Sequence, residues 1–168
     1  MNHLLTTVLL CCALGSCRSQ RPAANSYPAQ IGNIAYDPAQ DQKDFPLCIA
    51  DTLNQNFGSN GMRYEGEKPA LAHEFFSRYD ATRVKKEDGL LRIRFIVNCN
   101  GATDRFRIMG MNNDYTEKRF DTTISNQLLR ITRSLNGWKP IKGQRYNIGY
   151  YQYLIFKIKD GNLKEILP

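Results

Sequence analysis

Three features of the sequence predict an α+β fold: a small antiparallel sheet of three to four strands with helices packed on one face. Apolar residues alternate with period two from Leu90 to Asn98 and again from Tyr150 to Lys159. Between and before these runs, apolar residues recur at three- and four-residue steps, the spacing of amphipathic helices. Asn100-Gly101 and Asp160-Gly161 follow the two alternating runs, and such pairs suit the positive φ that tight hairpin turns need. The order helix, helix, strand, strand, helix, strand, short strand gives a two-layer sandwich.

A first helix is predicted from Phe45 to Phe57, capped by Asp44, with Phe45, Cys48, Ile49, Leu53 and Phe57 on one side and Gly58 and Gly61 as its stop. A second runs from about Pro69 to Tyr79, where Pro69 in the first turn sacrifices no helical hydrogen bond. Its apolar face is Leu71, Phe75, Phe76 and Tyr79. In the following strand Leu91, Ile93, Phe95 and Val97 point one way, and Leu90, Arg92, Arg94 and Ile96 the other. With Asn100-Gly101 at the centre of a two-residue turn, Cys99 faces Ala102, Val97 faces Asp104, Phe95 faces Phe106 and Ile93 faces Ile108. A third helix covers about Arg119 to Leu135 on the stripe Phe120, Ile124, Leu128, Ile131, Leu135; Asn136-Gly137 stops it and Pro140 prevents its resumption. In the last long strand, Leu154, Phe156 and Ile158 face the core. The chain then returns through Leu163 to Leu167. Trp138, between the helix stop and Pro140, is expected to close the end of the core.

The N-terminus carries a different message. Residues 1–16 contain no Lys, Arg, Asp or Glu, and Leu4 to Leu14 is a mostly apolar run of about eleven residues. That is well short of the roughly 20 needed to span a bilayer, but it fits the hydrophobic region of a signal peptide. Leu14-Gly15-Ser16-Cys17 then resembles a bacterial lipobox, which implies cleavage before Cys17 and lipidation of its thiol; an ordinary cleavage near Ala13 or Ser16 is the other reading. Residues 17–44, with Pro22, Pro28 and Pro38 and little periodicity, are expected to be a lipid-anchored tether, and 45–168 the folded domain. An exported domain sits in an oxidising compartment, where Cys48 and Cys99 either form a disulfide or stay as two buried thiols. The expected location is the cell envelope, membrane-anchored and periplasm-facing on the outer membrane.

The formal charge is +7, from 23 Lys and Arg against 16 Asp and Glu. In an exported chain this favours anionic lipid or an acidic protein over nucleic acid. No catalytic arrangement is recognisable: His73 is the one histidine beyond the signal and sits on a helix flank, which leaves no Ser/His or Cys/His pair and too few ligands for a Cys/His zinc site. No cofactor is implied. The outer side of the first hairpin is unusual, because Arg94 falls opposite Arg107, with Arg92 and Arg105 beside them. Like charges directly opposite destabilise a strand pair. They could be met by an acidic partner, or by Asp37, Asp41 and Asp44 of the tether folding back; a solvated face is the plain alternative. Tyr151 and Tyr153 should emerge on this face. The final hairpin supplies a sheet edge, with Tyr151, Tyr153, Leu163 and Glu165 as its candidate contact residues. It either receives a partner strand or is an ordinary edge protected by Lys157, Lys159 and Lys164.

From about Tyr64 to Pro168 the chain resembles the TonB C-terminal domain family. Gly66-Glu67-Lys68-Pro69-Ala70-Leu71 is similar to the family's Gly-Gly-x-x-Ala-Leu entry to a helix, with Glu67 in place of the second glycine. Arg94 to Gly101 is similar to its strand followed by Asn-x-x-Gly, Leu135-Asn136-Gly137-Trp138-Lys139-Pro140 matches its Trp-x-Pro helix end, and Tyr153-Leu154-Ile155-Phe156 falls where the final strand belongs. The family's best-known members couple an inner-membrane motor to outer-membrane receptors by adding a receptor segment to the sheet edge. Without an N-terminal membrane-spanning helix or long Pro-rich spacer, this chain is expected to keep the fold and the strand-addition mode rather than energy transduction. The resemblance implies a non-enzymatic lipoprotein whose partner is another envelope protein, such as an outer-membrane receptor or transport component. The alternative is an accessory structural lipoprotein whose basic face lies on anionic lipid or cell-wall polymer.

Overall fold

The computed structural model describes residues 32–48, 53–55 and 62–167. The expected signal segment 1–16, Cys17 and the expected tether as far as residue 31 lie outside the described residues. In chain order the elements are β1 (Asn54–Gln55), α1 (Glu67–Arg78), a single 3-10 turn (Ala81–Arg83), β2 (Gly89–Val97), β3 (Thr103–Met111), β4 (Glu117–Lys118), α2 (Thr122–Arg133), β5 (Ile141–Lys142), β6 (Asn147–Ile148), β7 (Tyr150–Lys159) and β8 (Asn162–Leu167). The fold is α+β. In the main sheet β2 is central, antiparallel to β3 on one side and to β7 on the other. The outer edge of β7 is shared: β8 runs antiparallel along Ile155–Lys159, and β1 pairs in parallel with Tyr150 and Tyr151. The short β5–β6 hairpin stands apart from this sheet.

Both helices bury their apolar stripes against one face of the sheet. Leu71 and Phe75 of α1, and Ile124, Leu128 and Ile131 of α2, join Leu91, Ile93, Phe95, Leu154, Phe156 and Ile158 in one continuous core. The predicted stripe of α2 is buried over its full length, Phe120 and Leu135 included, although the helix itself is shorter than expected. Its start is fixed by Asp121, whose carboxylate accepts the Thr123 N–H at 2.9 Å, satisfying a donor with no partner in the first turn. On α1 the expected face is too wide: Phe75 packs on Phe156 with ring centres 4.7 Å apart, whereas Phe76, one residue further round, is 50 % exposed.

The first hairpin corrects the expected register near its turn and keeps it further out. Asn98 N–H donates to Ala102 O at 2.8 Å, so the loop is three residues, Cys99 to Gly101, and Val97 faces Thr103 rather than Asp104. Gly101 takes φ 81°, and a Cβ there would lie 2.4 Å from the Trp138 carbonyl oxygen, so glycine is required by both angle and space. A bulge between Arg94 and Ile96 then places Arg105 and Phe106 against the single residue Phe95, with Arg105 at φ 56°. The extra residue restores Arg94 opposite Arg107 and Ile93 opposite Ile108, as the alternation predicts. The final turn needs no correction: Asp160 and Gly161 have φ 52° and 73°, and Lys159 pairs with Asn162.

The expected first helix is not formed in its described residues. Residues 45–48 are irregular and Asn54–Gln55 is a strand. Long-range contacts override the local spacing here: the Pro46 carbonyl accepts from Asn98 Nδ2 at 3.0 Å, and Leu53 packs with Ile96 and Tyr151 on the far side of the sheet. The last described part of the expected tether, from residue 32 onward, is likewise packed on that side.

Trp138 is 4 % exposed, edge-to-face with Tyr64 (5.0 Å) and with Phe95 (5.2 Å). Backbone bonds from Glu65 N–H to Gly137 O and from Lys139 N–H to Arg63 O, both 2.8 Å, hold the strands around it. Pro140, half-buried, follows beside Gly101. Trp138→Ala should therefore cost roughly 3–5 kcal/mol in a denaturant titration followed by circular dichroism, and an unchanged midpoint would remove Trp138 from this role.

Candidate functional site

The sheet face opposite the helices gathers the arginines expected there. Arg92 lies over the Tyr153 ring and Arg94 over the Tyr151 ring, each 4.7 Å from the ring centre. This placement follows from register, since Arg94 pairs with Tyr153 on one side and Arg107 on the other, and alternation keeps all of them on one face. Both tyrosines emerge where period two puts them. Tyr151, however, is buried and Tyr153 half-buried, so neither is an open contact residue.

Residues 32–48 cover this face. Ile34, 3 % exposed, forms a second apolar cluster with Ile96 and Tyr151, flanked by Phe45, Leu47 and Leu53. Around it the guanidiniums reach backbone carbonyls: Arg94 donates to Gly32 O, Arg105 to Ile34 O at 2.9 Å, and Arg107 to Ala35 O at 2.7 Å. The Asp41 carboxylate accepts both terminal nitrogens of Arg107, at 2.8 and 2.6 Å, and also the Asp37 N–H at 2.8 Å. On β3, Asp104 accepts the Gln42 N–H at 2.9 Å, and Tyr151 donates to Asn33 Oδ1 at 3.1 Å. Cys48 and Cys99 are joined as a disulfide with Cα atoms 6.1 Å apart, fastening the end of the segment to the hairpin loop. The bond thus ties a covering segment, rather than a helix, to the sheet.

The electrostatics follow from these contacts. Hydrogen bonds from Arg107 hold the Asp41 carboxyl below its usual range, and the Asp41 carboxylate in turn raises Arg107. Arg92 and Arg94 are pushed down by burial. Of the three tether acids, Asp41 meets an arginine directly, Asp37 orders the turn that presents it, and Asp44 is exposed. Ile34 was not foreseen, because it lies in a stretch with little periodicity to mark a buried side. Asp104 was missed for another reason: only the bulge turns it toward the segment.

The other candidate surface is the final edge. Leu163 is buried in the main core and Glu165 is exposed. β8 pairs with β7 alone among the described strands, so its outer edge is unpaired there. A cleft of about 550 Å³ between the helices is lined by Arg78, Asp80, Arg83 and Arg130, but Arg78 pairs with Glu74 and Arg83 with Asp80, both at 3.0 Å. His73 is exposed on α1, and among the described residues no group of three His, Cys, Asp or Glu is placed to hold a metal ion.

The depressed Asp41 carboxyl makes the covering segment acid-sensitive. A carboxylate whose folded pKa lies below its unfolded value contributes stability that is complete above the unfolded value, about 3.9, and is lost as pH falls through the folded one. A ¹³C NMR titration should place the Asp41 midpoint below 3.8, and Arg107→Ala should move it up. An Asp41 midpoint unmoved by Arg107→Ala would contradict the pairing.

No protein-family model, curated protein or solved structure matches the chain.

Proposed function

We propose that the chain is a non-enzymatic envelope lipoprotein whose TonB C-terminal-like domain binds another envelope protein by receiving its strand on the outer edge of β8. The observation that carries this reading is the unpaired edge of Asn162–Leu167, on a sheet whose faces are covered by helices on one side and by residues 32–48 on the other. An edge strand presents N–H and C=O groups that a second extended chain can satisfy, so backbone bonds supply affinity and the exposed neighbours Lys164 and Glu165 supply selectivity. The element order from α1 to β8 fits the resemblance, with Trp138 buried directly after α2 and β7 as the last long strand.

Lipidation at Cys17 would hang this edge from a membrane. The stretch from Cys17 to Gly32 can reach at most about 50 Å, enough to let the domain turn its edge toward an envelope partner. The alternative, a structural lipoprotein using its basic face on lipid or polymer, would need arginines that are engaged here within the chain, Arg94, Arg105 and Arg107 among them.

A photoreactive residue at Lys164 or Glu165 should trap one discrete partner in cells, while the same group at Asn126, exposed on α2, should not. Cys17→Ser should move the protein into the soluble envelope fraction and weaken that adduct. The reading fails if the β8 positions give no adduct above the Asn126 control, or if the Cys17→Ser protein stays wholly with membranes.

A further inference from the structure

The arginine face does more than tolerate its cover. It reads the segment at fixed points. Three guanidiniums donate to the carbonyls of Gly32, Ile34 and Ala35; one apolar side chain, Ile34, is inserted between Ile96 and Tyr151; one carboxylate, Asp41, takes the Arg107 fork; and Asn98 holds the Pro46 carbonyl. Backbone carbonyls, an apolar side chain and an acid presented by a turn are groups that a peptide of suitable sequence can offer. Nor is this the simplest way to close a sheet. Replacing a buried ionic cluster with packed apolar residues is commonly neutral or stabilising, so stability alone does not account for the charge retained here. Arg94 opposite Arg107 disfavours the bare face and favours any occupant that brings acceptors.

We propose that this face is a peptide-binding surface, occupied in the resting molecule by residues 32–48, and that it accepts from another chain an acidic segment carrying an apolar residue seven positions before an aspartate, with a turn just before the aspartate like that at Asp37 to Asp41. The spacing is that of Ile34 and Asp41. This surface is separate from the β8 edge, and either can fail without the other. The Cys48–Cys99 bond governs access, because it fastens the end of the resident segment beside the face, and opening it lengthens the tether and lowers that segment's effective concentration. A dithiol opens the bond by thiol–disulfide exchange: its two thiols become a disulfide, and Cys48 and Cys99 take up the two electrons and two protons as thiols.

The test uses a fluorescent synthetic peptide of residues 32–47 and the full chain in two forms: oxidised wild type, and Cys48→Ser/Cys99→Ser/Asp41→Asn, which weakens the resident segment. Trp138, the single tryptophan, reports that the core is intact. Fluorescence anisotropy should show at least tenfold tighter binding to the opened chain than to oxidised wild type. A peptide with Asn in place of its Asp41 should bind the opened chain at least fivefold more weakly. Equal binding to both forms, or indifference to that substitution in the peptide, overturns the proposal. If Trp138 emission shows the triple variant to be unfolded, dithiol-reduced wild type replaces it and the same two comparisons decide.

Discussion

Arg94 and Arg107 stand directly opposite each other at the centre of the sheet, and much of the molecule follows from how their charges are met. Two guanidiniums that close, on strands whose other face packs into the core, cannot be left facing an apolar cover or each other. The chain answers with oxygen: carbonyls from Gly32 to Ala35 and the carboxylate of Asp41. Meeting that demand brings residues 32–48 onto the sheet. There Ile34 fills the gap beside Ile96, and Cys48 is carried to within bonding reach of Cys99. A sheet that would otherwise have one wet face is thereby enclosed on both sides, and β2 is buried continuously from Ile93 to Val97.

The bulge at Arg105 belongs to the same solution. It adds one residue to β3 where the three-residue loop has shifted the register by one, so the outer half of the hairpin keeps its core alternation while Asp104 and Arg105 both reach the covering segment. On the opposite face the constraint is ordinary packing. Phe75 on Phe156, Phe95 between Phe106 and Trp138, and the α2 stripe make a dry layer that needs no charge. Apolar packing and charge pairing are thus assigned to different faces of one sheet.

What was legible in the sequence was local. The α2 stripe, the alternation of β2 and β7 and the Asp160-Gly161 turn each depend on neighbours within a few residues, and each stands where the spacing puts it. The opposition of Arg94 and Arg107 could be read because a hairpin register is nearly local too. The segment before Leu53 could not. Phe45, Cys48 and Leu53 carry helical spacing, but Phe45 and Leu53 pack on the cluster holding Ile96 and Tyr151 and Cys48 bonds Cys99, all far along the chain, and no periodicity records such partners. Asp104 was misplaced for a subtler reason: the left-handed Arg105 inside the strand leaves the residue types unchanged and alters only which face its neighbour serves.

The claim that most needs measurement is that residues 32–48 are part of the folded domain and are held there by Arg107. Two amides report it directly, because the N–H of Asp37 donates to the Asp41 carboxylate and that of Gln42 to Asp104. Hydrogen exchange of these two amides, followed by NMR on the oxidised chain, should be far slower than in a free peptide. In Arg107→Ala it should approach the free-peptide rate while the amides of Leu128 and Ile131 in α2 stay protected. Free-peptide exchange at Asp37 and Gln42 in the unaltered chain would contradict the claim.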